Sequence, residues 1–168
     1  DLGVFEGCTS LRSVTIPSNV KRVGYKAFKG CSSLKKVALP FSLKEVDSEV
    51  FEGCSSLESV KIPNAVKSIG GSAFKDCLAL TKITIPRNVT EIHVKCFEGC
   101  TSLKSVVLPP KLEEISPSVF EGCSSLDEMK LPNVTMIHAS AFKDCAGLKS
   151  VEMPKGKGVS ILAFKGCK

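Results

Sequence analysis

Phenylalanine returns at a nearly constant interval along this 168-residue chain. Eight of its nine phenylalanines lie 22 or 23 residues apart, at Phe5, Phe28, Phe51, Phe74, Phe97, Phe120, Phe142 and Phe164. A cysteine follows each of them three positions later, from Cys8 to Cys167. Because two residue types share one period, the recurrence is a true repeat rather than a coincidence. A fixed period of about 20 to 50 residues is typical of solenoids. The sequence therefore predicts a stack of similar units, of which unit 1 begins at Phe5 and unit 7 at Phe142.

Each unit repeats one order of apolar residues. In unit 2, Val37 and Leu39 alternate with polar residues, which predicts a half-buried strand. Pro40 follows, and its missing amide hydrogen ends strand pairing and forces a corner. The next apolar pair, Leu43 and Val46, predicts a second short parallel strand. The small residue, Phe and Gly-Cys that close each unit are interpreted as a turn or a short helix.

These features predict an α/β fold, a right-handed leucine-rich-repeat solenoid with parallel strands stacked one per repeat, short second strands and short helical turns. Residues 1–168 are predicted to form a single solenoid of seven complete 22–23-residue repeats. A free solenoid needs polar capping units at its ends, and the sequence has no such unit at either end. We therefore expect a segment of a longer chain, with an engineered array as the alternative.

The repeated order Phe-x-Gly-Cys-x-x-Leu-x-x-Val-x-Ile-Pro resembles the BspA-like class of leucine-rich repeats over essentially the whole chain. Asp76 and Asp144 replace the glycine, Cys96 replaces the small residue before Phe97, and Met129 replaces a branched aliphatic residue. The resemblance implies a protein–protein interaction module, part of a surface or secreted adhesin or receptor-like protein, that has no enzymatic activity. The alternative is a cytoplasmic structural element of a large macromolecular assembly.

The regular cysteines are compatible with disulfides or with a column of free thiols. Stacking would bring their α carbons to about 5 Å, which is within bridging range, but parallel side chains keep the β carbons beyond the roughly 3.8 Å that a disulfide prefers. We therefore predict a buried thiol ladder. His93, Cys96 and Cys100 are three potential metal ligands within eight residues. Since both cysteines are expected to face the core, no metal site and no other cofactor is predicted.

Catalysis, nucleic-acid binding and membrane insertion are not expected. His93 and His138 lie in one column two units apart, roughly 10 Å from each other and too far to share a proton. The net charge of +6 comes from 23 basic and 17 acidic residues. The charges beside the phenylalanines and along the second strand are of mixed sign, which indicates a solvated surface rather than a nucleic-acid groove. No apolar run approaches the roughly 18 residues of a membrane span.

The outward face of the first strand is the predicted binding surface, because solenoids bind extended partners on such faces. The predicted contacts with another protein lie in the central units: Lys61, Lys82, Thr84, Ser105 and Val107. Phe41, at a proline corner, is the alternative anchor, on a different edge.

Two Asn-x-Thr sequons begin at Asn88 and Asn133, and they predict glycosylation in a secretory eukaryotic context. The expected location of the protein is the cell surface or the medium.

Overall fold

The computed structural model describes residues 2–154 and 158–168. Their 13 short strands belong to two sets. The main strands are β1 (Ser13–Thr15), β2 (Lys36–Ala38), β4 (Ser59–Lys61), β6 (Lys82–Thr84), β8 (Ser105–Val107), β10 (Glu128–Lys130) and β12 (Ser150–Glu152). The second strands are β3 (Glu45–Val46), β5 (Ser68–Ile69), β7 (Glu91–Ile92), β9 (Glu114–Ile115), β11 (Met136–Ile137) and β13 (Gly158–Val159). A membrane-spanning helix is absent from these residues.

Every strand pairing is parallel and joins equivalent positions of neighbouring units. Val37 lies opposite Val14 on one side and Val60 on the other. The described main strands form three sheets, β1-β2-β4, β6-β8 and β10-β12, and the second strands form two, β3-β5-β7 and β9-β11-β13. The predicted parallel solenoid with short second strands is confirmed.

The α/β class and the short helical turns predicted before each Gly-Cys are wrong, since the described residues contain no helix. The residues two places before and after each Phe explain the difference. Glu49 and Gly53, which flank Phe51, have left-handed φ angles of 58° and 72°, which a right-handed helix does not contain. The Gly53 N–H also donates to the Lys75 carbonyl oxygen of the next unit at 2.8 Å. The segment is therefore a tight turn that adds a third line of hydrogen bonds between units.

The aspartates that replace a glycine keep the turn conformation. Asp76 and Asp144 have φ angles of 57° and 58°, in the same left-handed region as the glycines of this column. Aspartate is among the few residues other than glycine that adopt this region. The two substitutions therefore preserve the turn.

Columns of identical side chains fill the core. The eight regular phenylalanines stack face to face, with ring centroids 5.1 to 5.6 Å apart between neighbours. Leu80 and Leu103, of the leucine column, are completely buried. Each unit therefore covers the apolar side chains of the next, as a repeat protein requires.

The column thiols are hydrogen-bond donors in this core. The Cys54 Sγ lies 3.1 Å from the Phe28 carbonyl oxygen of the preceding unit, and the Cys100 Sγ lies 3.1 Å from that of Phe74. All nine cysteines are free, and Cys31 through Cys145 of the column are buried. Burial raises the pKa of the Cys54 and Cys100 thiols to about 12 because a thiolate would lose its hydration. The thiols are therefore protonated at neutral pH.

Replacing Leu80 or Leu103 by Ala is expected to lower the free energy of unfolding by about 2 to 5 kcal/mol, because each change leaves a cavity in a packed column. Urea denaturation followed by circular dichroism measures the loss. Leu78→Ala is the matched control, since this side chain is 44% exposed and its truncation should cost less than about 1 kcal/mol. Equal losses at Leu78 and Leu80 would contradict the assignment of the leucine column to the core.

The buried thiols should make the fold sensitive to alkali. A thiol whose pKa is raised in the folded state stabilises the fold fully below its unfolded pKa of about 9, and this stability is lost as the pH rises toward about 12. Each such thiol lowers the unfolding free energy by up to about 1.4 kcal/mol per pH unit in that window. The Cys54→Ala/Cys100→Ala variant should therefore lose less stability than the wild type between pH 8 and 10.5 in urea titrations. Identical pH slopes would contradict the thiol mechanism.

Candidate functional site

The outward face of the main strands brings the five predicted contact residues together. Lys61 ends β4, Lys82 and Thr84 lie on β6, and Ser105 and Val107 lie on β8. All five side chains are exposed, whereas the middle residue of each strand points inward and packs against the core. Val107 is an apolar side chain that is 57% exposed on this face.

Two grooves cross this face where the ladder between main strands is interrupted. No parallel ladder joins β4 to β6, and a groove of about 420 Å³ lies there, lined by Lys61, Lys82 and Thr84 among others. A second interruption lies between β8 and β10, where a groove of about 880 Å³ includes Ser105 and Val107 in its lining. The predicted contact residues therefore line two neighbouring depressions.

Phe41 lies apart from these grooves. Its ring is 75% exposed at the corner that follows Pro40, and it is not among the residues that line either groove. The structure therefore leaves Phe41 as a separate exposed aromatic side chain and does not join it to the five strand residues.

The two sequon asparagines connect the corners of neighbouring units. The Asn88 amide Nδ2 donates to the Asn64 carbonyl oxygen at 2.9 Å, and the Asn133 Nδ2 donates to the Pro110 carbonyl oxygen at 2.8 Å. Both asparagines therefore have a structural role, and their glycosylation remains a prediction.

The histidines and the cysteines near them do not converge. The His93 Nε2 lies 3.4 Å from a Glu91 carboxylate oxygen at the surface, whereas Cys96 is completely buried. The His138 Nε2 lies 2.9 Å from a different carboxylate, that of Glu114. Over residues 2–154 and 158–168, no group of three or more His, Cys, Asp or Glu side chains is placed to hold a metal ion.

Ion pairs between units neutralise the surface around the phenylalanine turns, called here the Phe-turn face. The Lys75 Nζ lies 2.9 Å from a Glu98 carboxylate oxygen. Lys143 donates to Glu121 of the preceding unit, and this hydrogen bond lowers the pKa of the Glu121 carboxyl. Charges on this face therefore bind one another and contribute to the stacking of units.

The main-strand face has a different charge pattern. Units 1 to 5 place six exposed basic side chains on or beside its strands, called here the cation row: Arg12, Lys35, Lys36, Lys61, Lys82 and Lys104. Glu58 is the one acidic residue at the same positions of these five units. The columns beside Phe and on the second strand contain both signs and do not reveal this row. The column immediately before the main strand contains Arg12, Lys35 and Lys104, and it would have revealed this row.

Comparison with known proteins supports a family assignment. The model of the BspA type leucine rich repeat region matches the chain in six copies, over residues 2–116 and 46–168. No curated protein is similar enough to count as a match.

Solved structures of bacterial proteins have the same fold. A leucine-rich repeat protein from Bacteroides ovatus is 35% identical, with a TM-score of 0.94, and the match covers 100% of this chain and 45% of that one. The T. pallidum leucine rich repeat protein is 30% identical, with a TM-score of 0.85, over 92% of this chain and 76% of that one. A leucine rich cell surface protein from Faecalibacterium prausnitzii is 22% identical, with a TM-score of 0.55, over 92% of this chain and 62% of that one, and it shows the fold alone.

The chain thus spans less than half the length of the Bacteroides ovatus protein. The family model nevertheless matches it throughout residues 2–168, and the phenylalanine, cysteine and leucine columns of that repeat stack in its core. The chain belongs to the BspA type leucine rich repeat family.

Proposed function

We propose that this chain is a protein-interaction module that binds another protein through the main-strand face of its central units. The observation that carries this proposal is the grouping of Lys61, Lys82, Thr84, Ser105 and Val107, which are exposed together and line two neighbouring grooves. Proteins with this type of repeat typically bind other proteins, and their fold is generally non-catalytic.

The composition of this face suits a protein partner. Val107 is a large apolar side chain surrounded by polar ones, and an apolar centre within a polar rim is the usual anatomy of an interface. The backbone beneath it is held by hydrogen bonds between β6 and β8. Binding to a rigid face loses little conformational entropy, which favours affinity.

The proposed location of the module is the surface of a cell or the surrounding medium, as part of an adhesin or receptor-like protein. The similar protein from Faecalibacterium prausnitzii is described as a cell surface protein. The main-strand face, with its exposed lysines, hydroxyls and one apolar side chain, is the surface that would meet a large partner outside the cell.

A double variant, Lys82→Glu/Val107→Asp, tests the proposed face. We expect it to weaken binding to a protein partner at least about tenfold, because it reverses one charge and places a charge at the apolar centre. The measurement is surface plasmon resonance against immobilised purified matrix proteins, with laminin, collagen and fibronectin as the first set.

Phe41→Ser is the matched control, since it removes an exposed aromatic side chain outside the grooves. Its affinity should stay within about twofold of the wild type. If Phe41→Ser abolishes binding while the double variant retains it, the corner edge is the site and the proposed face is wrong. Absence of binding by the wild type to any protein of the set would count against the adhesin role.

A further inference from the structure

The cation row is mostly without carboxylate partners in the described part of the chain. The Lys35 Nζ lies 3.8 Å from a Glu58 carboxylate oxygen. The charged nitrogens of the other five members have no acidic side-chain oxygen within 4 Å among residues 2–154 and 158–168. The same chain pairs Lys29, Lys75 and Lys143 with glutamates on the Phe-turn face. Like charges that lie close together repel one another. Since neighbouring side chains mostly do not neutralise this row, its charges are available to an anionic ligand.

The cation row extends along the solenoid axis and zigzags across the strands. Its members come from five consecutive units, and stacked strands lie about 4.8 Å apart, so the row extends roughly 19 Å along the solenoid axis. Lys36 and Lys82 occupy the same strand position two units apart, and Lys61 lies between them at the other outward position. A ligand that contacts all of them is therefore an elongated polyanion that crosses the strands.

The side chains between the cations indicate the chemical class of this polyanion. Hydroxyl groups separate the lysines, among them Ser59, Thr84 and Ser105. Strands β1 to β8 place no aromatic side chain on this face, so it has no platform on which nucleic-acid bases could stack. Val107, at one end of the row, is the one large apolar side chain at the outward positions of these main strands, so the row itself presents charges and hydroxyls with little apolar surface.

We infer that the cation row binds a linear sulfated polysaccharide that lies along the solenoid axis. Sulfates contact the lysine ammonium groups and Arg12, and sugar hydroxyls exchange hydrogen bonds with the serines and threonines between them. This ligand goes beyond the proposed protein partner, because it uses units 1 and 2 as well as the central units. Since Lys61 and Lys82 belong to both surfaces, the two ligands should compete.

Heparin is the probe for this inference, and two triple variants test it. Lys36→Gln/Lys61→Gln/Lys82→Gln removes three members of the row. The matched control, Lys21→Gln/Lys44→Gln/Lys67→Gln, removes three exposed lysines that precede second-strand positions. Both variants lower the net charge from +6 by the same amount, and urea denaturation checks that both fold. Calorimetric titration at about 150 mM NaCl gives the dissociation constants.

The row variant should bind heparin about tenfold more weakly than the wild type, while the control stays within about twofold. Raising the NaCl concentration should weaken wild-type binding, because salt screens exposed charges. Equal losses in the two triple variants would show that net charge alone is recognised and would overturn the inference. Absence of heparin binding by the wild type would overturn it as well.

Three further probes test the ligand class. Fully desulfated heparin, polyglutamate and single-stranded DNA of similar length should each bind at least about tenfold more weakly than heparin. Equal affinity for any of them would assign the row to another ligand and contradict a sulfated polysaccharide. Val107→Ser removes no charge, so it should leave heparin affinity within about twofold while weakening a protein partner, which separates failure of this inference from failure of the proposed function.

Discussion

A single repeat of about 23 residues cannot bury its own apolar side chains, so the whole structure depends on stacking between neighbouring units. The phenylalanine rings lie 5.1 to 5.6 Å apart, and the backbone beside them forms hydrogen bonds from each unit to the next. The thiol of Cys54 adds another such bond, to the carbonyl of Phe28. Each contact is repeated along the chain because each unit presents the same residue at the same height.

This in-register stacking converts sequence columns into surfaces. When the residue at an outward position differs between neighbouring units, the local charge of that face changes and the core does not. On the Phe-turn face, lysines and glutamates of neighbouring units pair, as Lys75 does with Glu98. On the main-strand face, the first five units retain their basic side chains largely unpaired. The proposed functions therefore follow from differences between columns of one repeat, on a scaffold that those differences do not alter.

Sequence reasoning succeeded where the period fixes which way a side chain points. The alternation of Val37 and Leu39 correctly predicted a strand, and the leucine column correctly predicted buried Leu80 and Leu103. It failed at the turns before Gly-Cys, where a compact Ala-Phe segment resembles a helical turn. Left-handed residues such as Glu49 and Lys26 decide that geometry, and neither residue type signals such a φ angle in a sequence.

The sequence by itself determined the repeat, the parallel stacking and the identity of the core columns, because a fixed period forces equivalent residues into equivalent environments. It also placed Lys61, Lys82 and Val107 on one outward face. Only the tertiary structure decided where the main-strand ladders are interrupted, and thus where the grooves beside β6 and β8 lie. It also decided which charges are paired. The ladder interruptions and the charge pairs depend on small displacements between units and on how far side chains reach. A regular sequence pattern does not encode either.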